Sequence, residues 1–327
     1  MRITFIGSGA IATALGNCLA GNPSNSVSLI SIEEEVVRSI KDHNINSKYF
    51  PGIKLHERLD ATTLVKPLSA SDFIFLAIPS VETVRYLTKH QKDISGSAII
   101  VNLAKGFGEN HCMIIDCIKE SFPNPVCAMK GPTFARDIIN NQPTGFTIGT
   151  KDPALVKAFT GIFQETNIFL DFSSDAHGVE ILSILKNIYS IIVGITDASF
   201  DAPNLRSLVL TKCFKEMRDL VKEFGGLEST MFNYCGFGDF TLTSLNDLSR
   251  NRTLGLLIGK GFFTREMSDR VVLEGKIAVN MIMKKLREDG KISGYPILAE
   301  LYKVFNDHYD LSSFVSNILK LSEDKEG

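Results

Sequence analysis

Met1-Arg2-Ile3-Thr4-Phe5-Ile6-Gly7-Ser8-Gly9-Ala10-Ile11-Ala12 opens the chain, and its reading decides the fold of the first half. Residues 3–6 form a short β-branched and aromatic run that predicts a strand, and residues 10–20 carry a helical pattern. Gly7 and Gly9 stand between them, with Ala12 three positions on. This spacing suits a dinucleotide pyrophosphate. The first glycine allows a tight turn, the second lets backbone approach the phosphates, and a small third residue lets helix and strand pack closely. Gly7, Ser8, Gly9, Ala10, Ile11 and Ala12 are therefore the candidate cofactor turn, with amides and partial positive charge supplied by the helix N-terminus. A glycine turn without a ligand is the competing reading. A second strand roughly 20 residues on weighs against it.

Outward from this turn the alternation continues. Residues 27–32 read as the second strand and residues 34–41 as a helix. Residues 73–78 and 99–103 are continuous apolar runs, the mark of strands buried on both faces. Residues 126–129 and 145–149 read as later strands. Strands alternating with helices predict an α/β fold with a Rossmann-type doubly wound parallel sheet. After about residue 178 the strand signal stops. Helical patterns follow over residues 179–197, 204–224, 265–289 and 297–305, so a mostly α-helical second domain is expected. The change falls near Ser173-Ser174-Asp175, giving a dinucleotide-binding domain over 1–177 and a helical substrate-binding domain over 178–327. The tail, residues 323–327, reads as disordered.

Composition narrows the function classes. A net charge of -2 and a pI near 6.3 offer no global field for nucleic acid or an anionic membrane surface, so any anion site must be local. No basic-then-apolar leader precedes the first strand, and no apolar run approaches the roughly 18 residues of a membrane span. A cytoplasmic protein is expected. The most apolar helix, residues 179–195, carries Lys186 and Asn187 near its middle. The 6 cysteines and 6 histidines are scattered without metal-ligand spacing, so reduced, buried thiols and no metal site are expected.

Particular residues then stand out. Glu33, at the tip of the second strand, is placed to accept the adenosine ribose hydroxyls and to repel a 2′-phosphate, which favours NAD over NADP. The bland alternative is the solvated start of the Glu33-Glu34-Glu35 helix. Pro79, in the turn Ala77-Ile78-Pro79-Ser80, marks a backbone contact to the cofactor or simple punctuation. Lys105 follows the buried run Ile99-Ile100-Val101-Asn102-Leu103-Ala104, at the strand end where doubly wound sheets bind ligands. Lys186, with Asn187 beside it, interrupts a helix that is apolar all round. Burial favours the neutral amine and suits a lysine to proton transfer, whereas a helix-edge lysine would only snorkel. Asp239, after Gly236-Phe237-Gly238, is placed to orient a lysine or accept a substrate hydroxyl. Ser249-Arg250-Asn251 reads equally as a phosphate grip at a helix start or as a capping serine with solvated neighbours.

Several motifs, taken in order, resemble the NAD(P)-dependent glycerol-3-phosphate dehydrogenase family over nearly the whole length. They are Gly7-Ser8-Gly9-Ala10-Ile11-Ala12-Thr13-Ala14-Leu15; Tyr49-Phe50-Pro51-Gly52-Ile53; Ile78-Pro79-Ser80; Lys105-Gly106; Gly131-Pro132-Thr133-Phe134-Ala135; Leu185-Lys186-Asn187; Gly236-Phe237-Gly238-Asp239; Ser249-Arg250-Asn251-Arg252; and Glu274-Gly275. The resemblance implies hydride exchange between dihydroxyacetone phosphate and sn-glycerol 3-phosphate, feeding phospholipid synthesis. It implies Lys186 as general acid/base, with Asp239 and Thr243 supporting it, and Lys105 contacting substrate and cofactor. Gly131, Thr133 and Asn187 would line the substrate, while Ser249, Arg250 and Asn251 hold its phosphate. Ala135, Arg250, Val272 and Glu274 would approach the dinucleotide, NAD or NADP. A homodimer follows by the same analogy. Lys130 and Ile184 depart from the small residues of the family pattern, which predicts a narrowed or recharged pocket. Two other readings remain: a related Rossmann reductase acting on a different 2-oxo substrate, and an inactive dinucleotide-binding regulator.

Overall fold

The computed structural model describes residues 1–109, 112–262 and 273–320. Eight strands form one sheet: β1 (Arg2–Ile6), β2 (Ser26–Ile30), β3 (Leu59–Thr62), β4 (Phe73–Leu76), β5 (Ile99–Asn102), β6 (Val126–Lys130), β7 (Thr144–Gly149) and β8 (Ile168–Ser173). Their order is β3-β2-β1-β4-β5-β6-β7-β8. The chain runs outward from β1 to β3 and then returns to lay β4 against the other side of β1. That reversal is the switch point of a doubly wound sheet.

Strand alternation explains the two cores. Ile3, Phe5, Val27, Leu29, Phe73, Phe75 and Val101 point to one face, where they pack with α1 (Ala10–Gly21), α2 (Glu34–His43), α5 (Ala135–Ile139) and α6 (Pro153–Ile162). Ile6, Ile30, Ile74, Leu76 and Ile100 point to the other, against α3 (Ser80–Lys89) and α4 (Ile114–Ser121). Both faces are covered, so the central strands β4 (Phe-Ile-Phe-Leu) and β5 (Ile-Ile-Val-Asn) are apolar along almost their whole length. Phe5 and Phe75 stack with centroids 4.7 Å apart.

Two features differ from the sequence expectation. β6 and β7 are antiparallel, whereas the remaining neighbours are parallel. A parallel return needs a crossover long enough to travel back along the strand, and the connection here holds only the 5-residue α5. β3 and β8 also escape the sequence reading. β3 is only Leu-Asp-Ala-Thr, and β8 buries only its first residue, Ile168, fully.

The chain forms two compact units. One comprises Met1–Glu180 with Asn233–Cys235; the other comprises Ile181–Phe232 and Gly236–Gly327. The short excursion belongs to the first unit because Asn233 Nδ2 and Tyr234 N donate to Asp171 Oδ2, at 2.9 and 3.0 Å, and Cys235 N donates to Thr147 Oγ1 at 2.9 Å. The described part of the second unit is helical. It contains most of α7 (Ala176–Ser199), then α8 (Pro203–Glu223), α9 (Asp239–Leu245), α10 (Arg250–Gly259) and the helices Leu273–Glu288, Pro296–Asn306 and Phe314–Lys320. α7 and α10 touch through glycine: a Cβ on Gly255 would lie 2.1 Å from the Ile191 carbonyl oxygen.

By length and composition alone α7 would cross a membrane, contrary to the expectation that no run approaches that size. Its apolar window is 94% buried inside the fold, as a core helix requires. The expectation of uniformly reduced cysteines is also corrected. Cys112 and Cys117 are bridged, because the start of α4 brings their Cα atoms to 6.5 Å, while Cys18, Cys127, Cys213 and Cys235 are free thiols. The tail at residues 323–327 lies outside the described residues.

Candidate active site

In the first unit the site is built from backbone. Gly7 has φ +113°, and a Cβ there would lie 2.5 Å from the Ala77 carbonyl oxygen. Only glycine allows both the left-handed turn and this approach. Gly9 caps α1 without a side-chain acceptor, and a Cβ at Gly9 would meet nothing within 4 Å. Open space therefore lies at the α1 N-terminus, where phosphates bind amides. Ser8 pairs with Ser31 through their hydroxyls at 2.6 Å, and Asn46 Nδ2 donates to the Ser8 carbonyl at 3.0 Å and to Thr13 Oγ1 at 2.8 Å. Ile11 is half-buried, and Ala12 is in the core, packing α1 on the sheet. These residues fit a dinucleotide pyrophosphate.

Glu33 caps α2 and carries its own counter-ion, since the Lys48 ammonium donates to its carboxylate. Pro79 is the exposed N-cap of α3. Ser80, next to it, is buried against Gly106, where an added Cβ would lie 2.7 Å from Ser80 Oγ. The Gly7–Ala77 and Ser80–Gly106 approaches bring the C-terminal ends of β1, β4 and β5 to one edge, the edge where such sheets bind ligands. Lys105 stands on that edge, half-buried. Gly131, after β6, has no room for a side chain: its Cβ would lie 2.3 Å from the Gly145 carbonyl oxygen. Thr133 Oγ1 donates back to the Gly131 carbonyl at 3.2 Å. Ala135 opens α5 and packs on the same core as Ala10, Ile11 and Ala77.

In the second unit the site is built from charge. Lys186 is 3% exposed, and its Nζ donates to Asp239 Oδ1 at 2.7 Å and to Thr243 Oγ1 at 3.0 Å. Thr243 Oγ1 in turn donates to the Asp239 carbonyl at 2.7 Å, fixing the first turn of α9. Ser190 Oγ donates to the Lys186 carbonyl at 2.6 Å and meets Ser244 Oγ at 3.0 Å, one turn along both helices. Close backbone contact sets this geometry, because a Cβ on Gly236 would lie 2.1 Å from the Met231 carbonyl oxygen. Asn187 is half-buried beside Lys186.

Ser249 is the N-cap of α10, its hydroxyl accepting from Arg252 N at 3.3 Å. The guanidinium of Arg252 is held by Asp197 and Asp247 and donates to the Ser244 carbonyl at 3.0 Å, so this arginine braces the fold. Arg250 is exposed and Asn251 half-buried at the same helix start. Glu274 is exposed in the first turn of helix Leu273–Glu288, and Val272 lies outside the described residues.

Lys130 differs from its expectation of recharging a pocket. It is 1% exposed, and its Nζ donates to the carbonyls of Asn102, at 2.9 Å, and Ala104. Ile184 is likewise buried. Sequence reasoning missed Asn46, Asn102 and Glu180. Each is a polar residue with no exposure, and Asn102 and Glu180 interrupt apolar runs as Lys186 does.

Comparison with known proteins bears on both units. The model of the NAD-dependent glycerol-3-phosphate dehydrogenase N-terminus matches residues 2–156, and that of the C-terminus matches residues 175–316. The chain is 32% identical to the glycerol-3-phosphate dehydrogenase [NAD(P)+] of Methanothermobacter thermautotrophicus over 318 residues, 96% of each chain. It is 31% identical to the protein of the same name from Halothermothrix orenii, over 95% of this chain and 93% of that one. In fold it is similar to the glycerol-3-phosphate dehydrogenases of Coxiella burnetii (TM-score 0.87, 24% identity, 98% of each chain) and Plasmodium falciparum (TM-score 0.89, 21% identity, 100% and 96%).

Proposed function

The chain belongs to the NAD-dependent glycerol-3-phosphate dehydrogenase family, and on that premise we propose that it interconverts dihydroxyacetone phosphate and sn-glycerol 3-phosphate, with Lys186 as general acid/base. The observation that carries the mechanism is the buried Lys186–Asp239–Thr243 cluster. A bound nicotinamide, NADH or NADPH, supplies the hydride for ketone reduction.

The residues of the chain do the rest. When the ketone is reduced, its oxygen needs a proton, and the Lys186 ammonium is the donor. In the other direction the neutral Lys186 amine takes the proton from the hydroxyl. Asp239 and Thr243 hold Nζ in one place, which makes its geometry repeatable from one turnover to the next. Arg250, Asn251 and the Ser249-capped start of α10 supply one cation, a side-chain amide and backbone amides for the phosphate. Lys105, Gly131, Thr133 and Asn187 would complete the substrate contacts. The turn Gly7 to Ala12, with Glu33, Pro79, Ala135, Arg250, Val272 and Glu274, would hold the dinucleotide. Glu33 favours NAD. We assign residues 1–177 to the dinucleotide and residues 178–327 to the substrate.

Supply of glycerol 3-phosphate to phospholipid synthesis in the cytoplasm is the physiological role that fits this chemistry. A homodimer is the expected assembly. Phe232 and Phe237, 75% and 56% exposed, pack edge-on to Phe214 and form an apolar surface suited to a second copy. The deciding experiment follows NADH and NADPH absorbance with dihydroxyacetone phosphate. Rapid loss of signal is expected. Nucleotide binding without turnover would point to the inactive regulator, and turnover only of an unphosphorylated 2-oxo acid would point to the related reductase.

A further inference from the structure

A lysine is seldom buried without a task, because removing an ammonium from water costs several kcal/mol unless it is paired and hydrogen-bonded. Lys130 is the last residue of β6 and is buried. The ladder between β5 and β6 ends at Asn102 and Ala128. Beyond that point the Lys130 ammonium reaches across, donating to the carbonyls of Asn102 and Ala104. Asn102 grips the same turn from the other side. Its Oδ1 accepts from Ala104 N at 2.9 Å, and its Nδ2 donates to Glu180 Oε1 at 2.6 Å. Glu180 is fully buried and also accepts from Ile115 N at 3.3 Å. Both backbone groups of Ala104 are thus engaged, by a cation on one side and by an amide tied to a buried carboxyl on the other. Lys105 is the next residue, and beyond it Gly106 lies tight against Ser80.

We propose that Lys130 is a positioning residue for Lys105, its ammonium fixing the turn on which Lys105 meets substrate and cofactor, with Glu180 as the buried carboxyl that anchors Asn102 on the other side. This rests on the role given to Lys105 above. Lys130 touches neither substrate nor cofactor. It extends the β5–β6 pairing past its last ladder bond, and the Lys105 backbone inherits the rigidity. A side-chain donor does here what strand hydrogen bonds do elsewhere.

The test is a double-mutant cycle with kcat and KM for dihydroxyacetone phosphate. Lys130→Met alone leaves the buried Glu180 carboxyl without its neighbouring cation, so Lys130→Met/Glu180→Gln is the main variant, removing both titratable groups together. A folded variant with kcat/KM lowered about ten-fold is expected, chiefly through KM, because a misplaced contact weakens alignment. That loss should vanish when Lys105→Ala is already present. A folded double variant with unchanged kcat/KM overturns the proposal, as does a loss that persists undiminished in the Lys105→Ala background. Should the double variant fail to fold, Lys130→Arg keeps the charge and moves the donors. It is expected to show a smaller loss with the same dependence on Lys105, and independence from Lys105 overturns the proposal equally. Full activity of Lys105→Ala by itself would remove the premise, and with it the proposal, whatever Lys130 does.

Discussion

Gly7 and Gly106 serve the first unit by lacking side chains, whereas Lys186 and Asp239 serve the second by burying opposite charges 2.7 Å apart. A turn that must let a phosphate reach backbone amides is limited by volume. A group that must give and take a proton is limited by electrostatics. Damage in the first unit should therefore scale with added atoms, and damage in the second with removed charge.

The largest expected effect falls on Lys186. Lys186→Ala should lower kcat roughly 1,000-fold, the scale of a lost general acid/base, while the thermal shift induced by NADH persists. The variant also strands the Asp239 carboxyl, so stability should fall by about 3 kcal/mol. Lys186→Met/Asp239→Leu should recover that stability in urea unfolding without recovering turnover. Loss of the NADH shift in Lys186→Ala would mean that Lys186 itself is needed for nucleotide binding, and not for proton transfer alone.

Next come the two glycines of the first turn. Gly7→Ala forces a side chain into φ +113° and against the Ala77 carbonyl, so we expect about 2 to 4 kcal/mol of lost stability. Gly9→Ala meets open space at an ordinary φ of -67° and should leave urea stability unchanged. Its methyl nevertheless stands where a pyrophosphate would approach, so NADH binding by calorimetry should weaken about ten-fold or more. Equal NADH affinity in Gly9→Ala would place the phosphates elsewhere.

These same residues show what was legible in the sequence. Gly7, Gly9, Lys105 and Lys186 stand out in the sequence because a local pattern and a chemical need coincide within a few residues. The buried strands β1, β4 and β5 were legible for a similar reason, being apolar on both faces. The antiparallel turn from β6 to β7 was not, because strand direction depends on the length of a crossover whose helix, α5, has only 5 residues. Nor was the pairing of Asp239 with Lys186, 53 residues away, which the fold supplies and the family resemblance anticipated. Arg252 makes the same point from the other side. It stands two residues from Arg250 in the same run and carries the same charge, yet Asp197, distant in sequence, engages it.

Glu180 is an exception, a buried titratable group inside the glycine-built unit. Burial pushes its carboxyl up from 4.5 to about 7, with Lys130 pulling against that and Asp116, itself paired with His177, adding to it. The unfolded chain releases this proton near pH 4.5, and the folded chain holds it until about pH 7. Its stabilising contribution is therefore complete below the unfolded value and is lost as the pH rises through the folded one. Relative to Glu180→Gln, wild type should lose about 3 kcal/mol across that window in urea titrations. A flat difference would mean that Lys130 keeps Glu180 ionised throughout.

The smallest effect concerns cofactor choice, at the exposed Lys48–Glu33 ion pair. Glu33 should repel a 2′-phosphate, yet Lys48 sits on its carboxylate and returns a positive charge to the same corner. The side chains are 55% and 32% exposed, so solvent screens the pair and its influence must be modest. Lys48→Ala frees the carboxylate, and the ratio of NADH to NADPH turnover should rise about three-fold, an effect that shrinks as salt is added. Glu33→Ala should move the ratio the opposite way. If Lys48→Ala leaves the ratio unchanged at low salt, the pair is a solvated surface contact, and discrimination rests on the space beside Ser31 and Ile32. Cofactor choice would then be limited by volume, like the rest of the first unit.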